Sequence, residues 1–97
     1  MVKVYDISVE APLKTLQGRI TFVINKNSLS GSIISNNIKA HFNNGKIINN
    51  NFEFSGIINK GLFNISYYAK GTLTKDIITG TVKTKYGTFF IKGNIVK

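Results

Sequence analysis

Few residues of this chain carry groups that could do acid–base, nucleophilic or metal chemistry. His41 is the single histidine, there is no cysteine, and the four carboxylates are Asp6, Glu10, Glu53 and Asp76. Asp6 and Glu10 are four residues apart, which along a strand separates them by about 13 Å, too far for a shared proton. No Ser–His–acid grouping can be recognised, and no second ligand stands at metal spacing from His41. We therefore predict a protein that is not an enzyme and that holds no metal or cofactor.

The elements that would position any site are strands. Apolar and polar residues alternate along most of the chain, and the alternation restarts after clusters of Asn, Gly or Lys, which is typical of strands with one buried face. We expect eight or nine short strands joined by brief turns, one of them at Asn44-Gly45. Brief turns require antiparallel neighbours. The predicted fold is all-β: a small antiparallel up-and-down β-barrel that occupies residues 1–97 as one domain.

A short phrase, apolar–polar–Gly–any–apolar, occurs six times and places glycine among the core-facing positions. Because side chains in a strand alternate between faces, each of these glycines shares a face with the apolar residues on either side. Glycine inside a strand marks a bend, a bulge or a close approach by another backbone or a ligand. The phrase therefore predicts strongly curved strands in a small closed barrel. Its glycines are Gly18, Gly31, Gly56, Gly71, Gly80 and Gly93.

The predicted interior is rich in aromatic side chains. A barrel of eight strands is just wide enough to be filled by side chains or to hold one small ligand. We predict a pocket for a small apolar or amphipathic molecule, with wall residues drawn from the inward-facing aromatics. These are Tyr5, Phe22, Phe42, Phe54, Phe63, Tyr67 and Phe89. The alternative is that the rings fill the gaps above the glycines and the barrel binds nothing inside.

The C-terminal third resembles a known family. The segment Ile78-Thr79-Gly80-Thr81-Val82 is followed by Gly87-Thr88-Phe89-Phe90-Ile91-Lys92-Gly93, and this resembles the closing hairpin of small bacterial calycin-like barrels. The calycins include lipocalins and fatty-acid-binding proteins, so the resemblance implies an up-and-down barrel that binds an apolar small molecule. The chain departs from lipocalins in having no Trp. It also lacks the arginine hook of fatty-acid-binding proteins, since its single arginine, Arg19, is expected to face outward.

The outer face is basic, with 13 Lys and Arg against four acidic residues and a net charge of +9. Such a charge favours anionic partners in general. Two aromatic and four basic residues are predicted on the outer face of the last strands: Tyr68, Lys70, Lys83, Lys85, Phe90 and Lys92. Aromatic residues among lysines are typical of surfaces that hold single-stranded nucleic acid. A solvated lysine-rich surface explains the same residues more simply, so nucleic acid is the weaker of the expected partners.

Two functions remain open. The first is non-enzymatic binding of a small hydrophobic or amphipathic ligand inside the barrel. The second is an interaction module with a filled core that acts through its basic outer face on a protein or nucleic acid. No apolar run approaches the roughly 20 residues of a membrane-spanning helix, and the chain starts directly in a strand pattern. We expect a cytoplasmic monomer or homodimer.

Overall fold

The chain forms eight antiparallel strands, each paired with the next along the sequence. The computed structural model describes residues 1–10, 15–35, 38–60 and 63–96, with the side chains of residues 38, 59, 60 and 63 outside the described part. No helix occurs in these ranges. The strands are β1 (Val2–Glu10), β2 (Thr15–Asn25), β3 (Ser28–Ser35), β4 (Ile38–Ile48), β5 (Asn51–Lys60), β6 (Phe63–Leu73), β7 (Ile77–Thr84) and β8 (Gly87–Ile95).

The sheet closes on itself because β1 also pairs with β8, from Tyr5 opposite Ile95 to Glu10 opposite Phe90. Closure removes the unpaired sheet edges that invite aggregation. Two of the hairpins turn at residues with positive φ, Lys26 (59°) and Asn49 (57°), the conformation of turns whose twist matches that of the flanking strands. The predicted all-β, antiparallel up-and-down barrel is confirmed.

The turn predicted at Asn44-Gly45 is wrong. Strand β4 runs unbroken through this dipeptide, with Gly45 opposite Leu29 of β3. A Cβ on Gly45 would lie 2.8 Å from the Leu29 carbonyl oxygen, so the glycine is needed for close approach of two strands. A turn here would break the pairing of β4 with β3. A bulge in β4 takes its place, because Asn43 and Asn44 together lie opposite the single residue Ser30 of β3. The barrel consequently has eight strands.

The core-facing glycines are covered in two ways. An aromatic side chain covers Gly56, where a Cβ would lie 2.8 Å from the Tyr67 hydroxyl. At Gly31 a Cβ would lie 1.8 Å from the backbone carbonyl oxygen of Thr21 and 3.1 Å from the ring of Phe42. Backbone covers others: at Gly93 a Cβ would lie 2.1 Å from the carbonyl oxygen of Asp6. These glycines therefore let strands bend toward one another, as the repeated phrase predicted.

Aromatic rings fill one part of the interior. Phe22 lies at the centre of this aromatic cluster, with ring centroids 5.6–6.1 Å from those of its neighbours. Within it, the rings of Phe42 and Phe54 stack at 3.8 Å. The other members are Tyr5 and Phe52, and all five residues are almost completely buried. Side chains therefore occupy the volume of this part of the barrel.

Candidate ligand cavity

The other end of the interior contains a cavity of about 280 Å³. It lies where β7 turns into β8, and Thr84 and Tyr86 at that turn contribute to its wall. The strand ends that surround it all carry inward-facing aliphatic side chains, because alternation continues to the last residues of each strand. Those of β1, β2, β3, β5 and β6 are Ile7, Val9, Leu16, Ile33, Ile58 and Ile65, and those of β7 and β8 are Val82 and Ile91.

Tyr67 separates the cavity from the aromatic cluster. Its ring meets Phe54 edge-on, with centroids 6.0 Å apart, and the residue also lines the cavity. The residue is only 4% exposed, and within the described part of the chain its hydroxyl has no hydrogen-bond partner. Burial raises the pKa of this hydroxyl above the ordinary tyrosine value. The hydroxyl is therefore protonated at neutral pH and costs desolvation energy that no hydrogen bond returns.

Polar groups elsewhere in the wall are few and uncharged. Ser35 is 8% exposed, and its hydroxyl donates to the carbonyl oxygen of Gln17 at 2.7 Å. Thr84 and Tyr86 stand at the turn, where the Thr84 hydroxyl donates to the carbonyl oxygen of Gly87 at 3.3 Å. No carboxylate, lysine, arginine or histidine side chain belongs to the described wall of the cavity. The site can therefore bury an apolar molecule but cannot neutralise a buried charge.

The seven predicted wall residues fall into three groups. Tyr67 and Phe89 line the cavity. Tyr5, Phe22, Phe42 and Phe54 are buried, but they pack against one another in the aromatic cluster and are not among the residues around the cavity. The side chain of Phe63, the first residue of β6, lies outside the described part.

The predicted wall contained only aromatic residues, so it omitted the aliphatic residues that line most of the cavity. The alternation of the sequence already placed Ile58, Ile65 and Val82 on the inward face, so their direction could be predicted. Their meeting at one end could not, because it depends on the register between strands that are distant in sequence. The sequence predicted a turn at Tyr86. Its position at the rim of a cavity could not be predicted, because it depends on closure of the barrel.

The groups with potential chemistry lie apart from the cavity. Asp6 pairs with Arg19 at 2.8 Å and Glu10 with Lys92 at 3.0 Å, all four on the exposed outer face. His41 is exposed as well. No three His, Asp or Glu side chains in the described ranges are close enough to hold a metal ion together.

No protein-family model matches the chain, and no curated protein is significantly similar to it. In the same described ranges there is no helix with the length and hydropathy that crossing a bilayer requires. The geometry of the barrel is therefore the basis for any functional assignment.

Proposed function

We propose that this protein binds a small, mainly apolar molecule inside the barrel, in the cavity beneath the β7–β8 turn. The observation that carries the proposal is the cavity itself, about 280 Å³ in volume and walled by aliphatic and aromatic side chains. Protein interiors otherwise contain few voids larger than a water molecule. Burial of apolar ligand surface would supply most of the affinity, at about 25 cal/mol per Å² removed from water.

The volume limits the size of the ligand. A cavity of about 150 Å³ lined by similar side chains holds one benzene molecule. Nearly twice that volume corresponds to about ten to twelve non-hydrogen atoms, that is, two small rings or a compact branched chain. A long fatty-acid chain exceeds this space. An amphipathic ligand would place its polar group at the rim, near Thr84 and Tyr86, because the deeper wall offers a charge no partner.

The same observations support a calycin-like assignment. A closed, eight-stranded up-and-down barrel with an interior cavity is the arrangement that the resemblance of the C-terminal third implies. The cavity here is small because aromatic rings occupy the rest of the interior. The proposed protein is thus a reduced calycin-like barrel, in which only one end is available to a ligand.

The experiment is a binding screen on the purified protein with a matched pair of variants. Displacement of a fluorescent apolar dye, checked by native mass spectrometry, would be measured for compact neutral aromatics, branched terpenoids and fatty acids. Ile58 lines the cavity, whereas its neighbour Ile57 is 57% exposed on the outer face. Ile58→Phe fills the cavity and should reduce binding at least tenfold, and Ile57→Phe should leave binding unchanged.

Two results would contradict the proposal. One is the absence of binding by any compact neutral compound to the wild-type protein. The other is equal binding by the two phenylalanine variants, which would place the ligand outside the barrel. Since an added ring can destabilise a core, Val82→Leu provides a milder filling of the same wall and should weaken binding by a smaller factor.

A further inference from the structure

A groove of about 660 Å³ crosses the outer face of β4, β5, β6 and β7. Its floor contains Gly71 and Gly80, which face each other in the β6–β7 ladder. A Cβ on Gly71 would lie 2.1 Å from the carbonyl oxygen of Thr79, and one on Gly80 would lie 2.5 Å from that of Lys70. Both glycines are at core-facing positions, so at this register backbone forms the floor of the groove on the outer face.

Two rows of outward-facing side chains form the walls of the groove. Strand register sets both rows, because directly opposed residues of neighbouring strands point to the same face. The first row runs Lys46, Glu53, Lys70, Thr81, and the second runs Ile48, Asn51, Thr72, Thr79. Asn51 and the three threonine hydroxyls make no side-chain hydrogen bond within the described residues, so they are available to a ligand.

The charge of the groove is positive despite its glutamate. Glu53 stands between Lys46 and Lys70, yet neither lysine forms an ion pair in the part of the chain that the structure describes. The Glu53 carboxylate instead accepts a hydrogen bond of 2.5 Å from the Tyr68 hydroxyl, and this bond raises the pKa of Tyr68. The Glu53 carboxylate is therefore bonded to Tyr68, and the ammonium groups of Lys46 and Lys70 face solvent. The chain as a whole has a net charge of +9.

An exposed aromatic ring continues the first row. Phe90 of β8 lies opposite Thr81 and is 58% exposed. Strands in a sheet are about 4.8 Å apart, so Phe90 lies two strand spacings, about 10 Å, from Lys70. Lys83 stands opposite Tyr68 on the same face. A phenylalanine ring exposed to water beside unpaired lysines offers a stacking surface next to cationic groups.

We propose that this groove, together with Phe90, binds single-stranded nucleic acid. Lys46, Lys70 and Lys83 would contact phosphates, and a base would stack on Phe90, which is how proteins hold single strands without reading sequence. The groove spans three strand spacings, about 14 Å, which suits one strand better than a duplex. A duplex also keeps its base faces stacked internally, where Phe90 cannot reach them. This site lies outside the barrel and is independent of the cavity.

The test is fluorescence anisotropy with a labelled single strand of about 12 nucleotides, within the usual range of site sizes. Three phosphate contacts predict a slope of log affinity against log salt near −2, because each contact in a single strand contributes about −0.7. Affinity should therefore fall about 20-fold between roughly 50 and 200 mM salt. Absence of binding at low salt would overturn the proposal.

Matched substitutions distinguish binding in the groove from non-specific attraction by the net charge of the whole chain. Lys70→Gln should weaken binding about five- to tenfold at low salt and make the salt slope shallower. Lys39→Gln removes the same charge from an exposed position on β4 that is about 23 Å along the strand from Lys46, and it should change binding less than twofold. Phe90→Thr should weaken binding at least fivefold with an unchanged salt slope. Equal losses from the two lysine substitutions would refute the groove as the site.

Two further arms identify the class of partner. Duplex DNA of the same length should bind more weakly than the single strand, and polyglutamate should compete poorly at equal charge. Duplex binding as tight as single-strand binding would overturn the proposal. Efficient competition by polyglutamate, with no effect of Phe90→Thr, would instead assign the groove to acidic proteins.

Discussion

Replacing Tyr67 by phenylalanine should stabilise the ligand-free protein. The substitution removes one oxygen atom from a residue that is 4% exposed and whose hydroxyl has no partner in the described part of the chain. Gly56 lies beneath this hydroxyl, since a Cβ built on it would approach the oxygen to 2.8 Å. The ring itself would stay in place against Phe54. The variant thus changes hydrogen bonding while leaving the aromatic contacts intact.

The expected magnitude follows from two opposing contributions. An unsatisfied buried hydroxyl costs about 1–3 kcal/mol, which the substitution recovers. The lost oxygen leaves a void of roughly 15 Å³, which costs about 0.4 kcal/mol at ~24 cal/mol per Å³. The net gain is about 1 kcal/mol or somewhat more, which corresponds to a rise in Tm of about 4–8 °C for a domain of this size.

Tyr5 provides the matched control. Its hydroxyl donates to the carbonyl oxygen of Thr74 at 3.1 Å, so Tyr5→Phe removes a bond that is made and should cost about 0.5–1.5 kcal/mol. Urea titrations and thermal melts followed by circular dichroism would compare both variants with the wild-type protein. The two substitutions are chemically identical, so a difference in sign reports the environment of each hydroxyl.

Destabilisation by Tyr67→Phe as large as that by Tyr5→Phe would refute this prediction. That result would mean that the Tyr67 hydroxyl is hydrogen-bonded in solution, with water in the cavity as its partner. A wet cavity would weaken the case for an apolar ligand, because a buried water with several polar partners is costly to displace. The measurement therefore also bears on the proposed function.

Two other predictions concern the glycines and the tyrosines. Gly71→Ala should destabilise the barrel by more than about 3 kcal/mol, because its Cβ would collide with backbone, 2.1 Å from the Thr79 carbonyl oxygen. Gly87→Ala should cost only about 1–2 kcal/mol, since Gly87 has open space and only its φ of +128° is unfavourable; equal losses in chemical denaturation would contradict this ranking. The raised pKa values of Tyr5 and Tyr67 mean that the folded chain keeps protons that the unfolded chain loses above about pH 10. Stability should accordingly be constant with respect to these groups below pH 10 and decline above it. Urea midpoints between about pH 8.5 and 11.5 should show a shallower decline for Tyr67→Phe, and an identical decline would refute the assignment.

Much of the fold could be predicted because alternation is a local property. Residues two apart share a face of a strand, so the inward positions of Tyr5, Phe22 and Ile58 could be read directly. The turn assigned to Asn44-Gly45 was wrong for the opposite reason. Gly45 is in close contact with Leu29, sixteen positions earlier, and no local pattern of the sequence indicates that contact.

For the candidate cavity, too, the sequence predicted which residues face inward but not which of them lie together. Aromatic residues were the predicted wall, yet Phe22, Phe42 and Phe54 fill the barrel, and only Tyr67 and Phe89 reach the cavity. Large rings fill the interior wherever the strands place several of them at the same height along the barrel axis. The aliphatic residues of the strand ends are too short to close the remaining space, so the void lies among them.

By itself, the sequence determined that this protein is built of antiparallel strands, which face of each strand is buried, and that its surface is strongly basic. These features follow from the two-residue alternation, the brief turns and the composition, all of which can be recognised without knowing which strands pair. The tertiary structure alone decided the level of each ring along the barrel, the unpartnered Tyr67 hydroxyl beside a cavity, and the groove above Gly71 and Gly80. Those features depend on register between strands distant in the chain, where a shift of one residue turns every side chain to the other face.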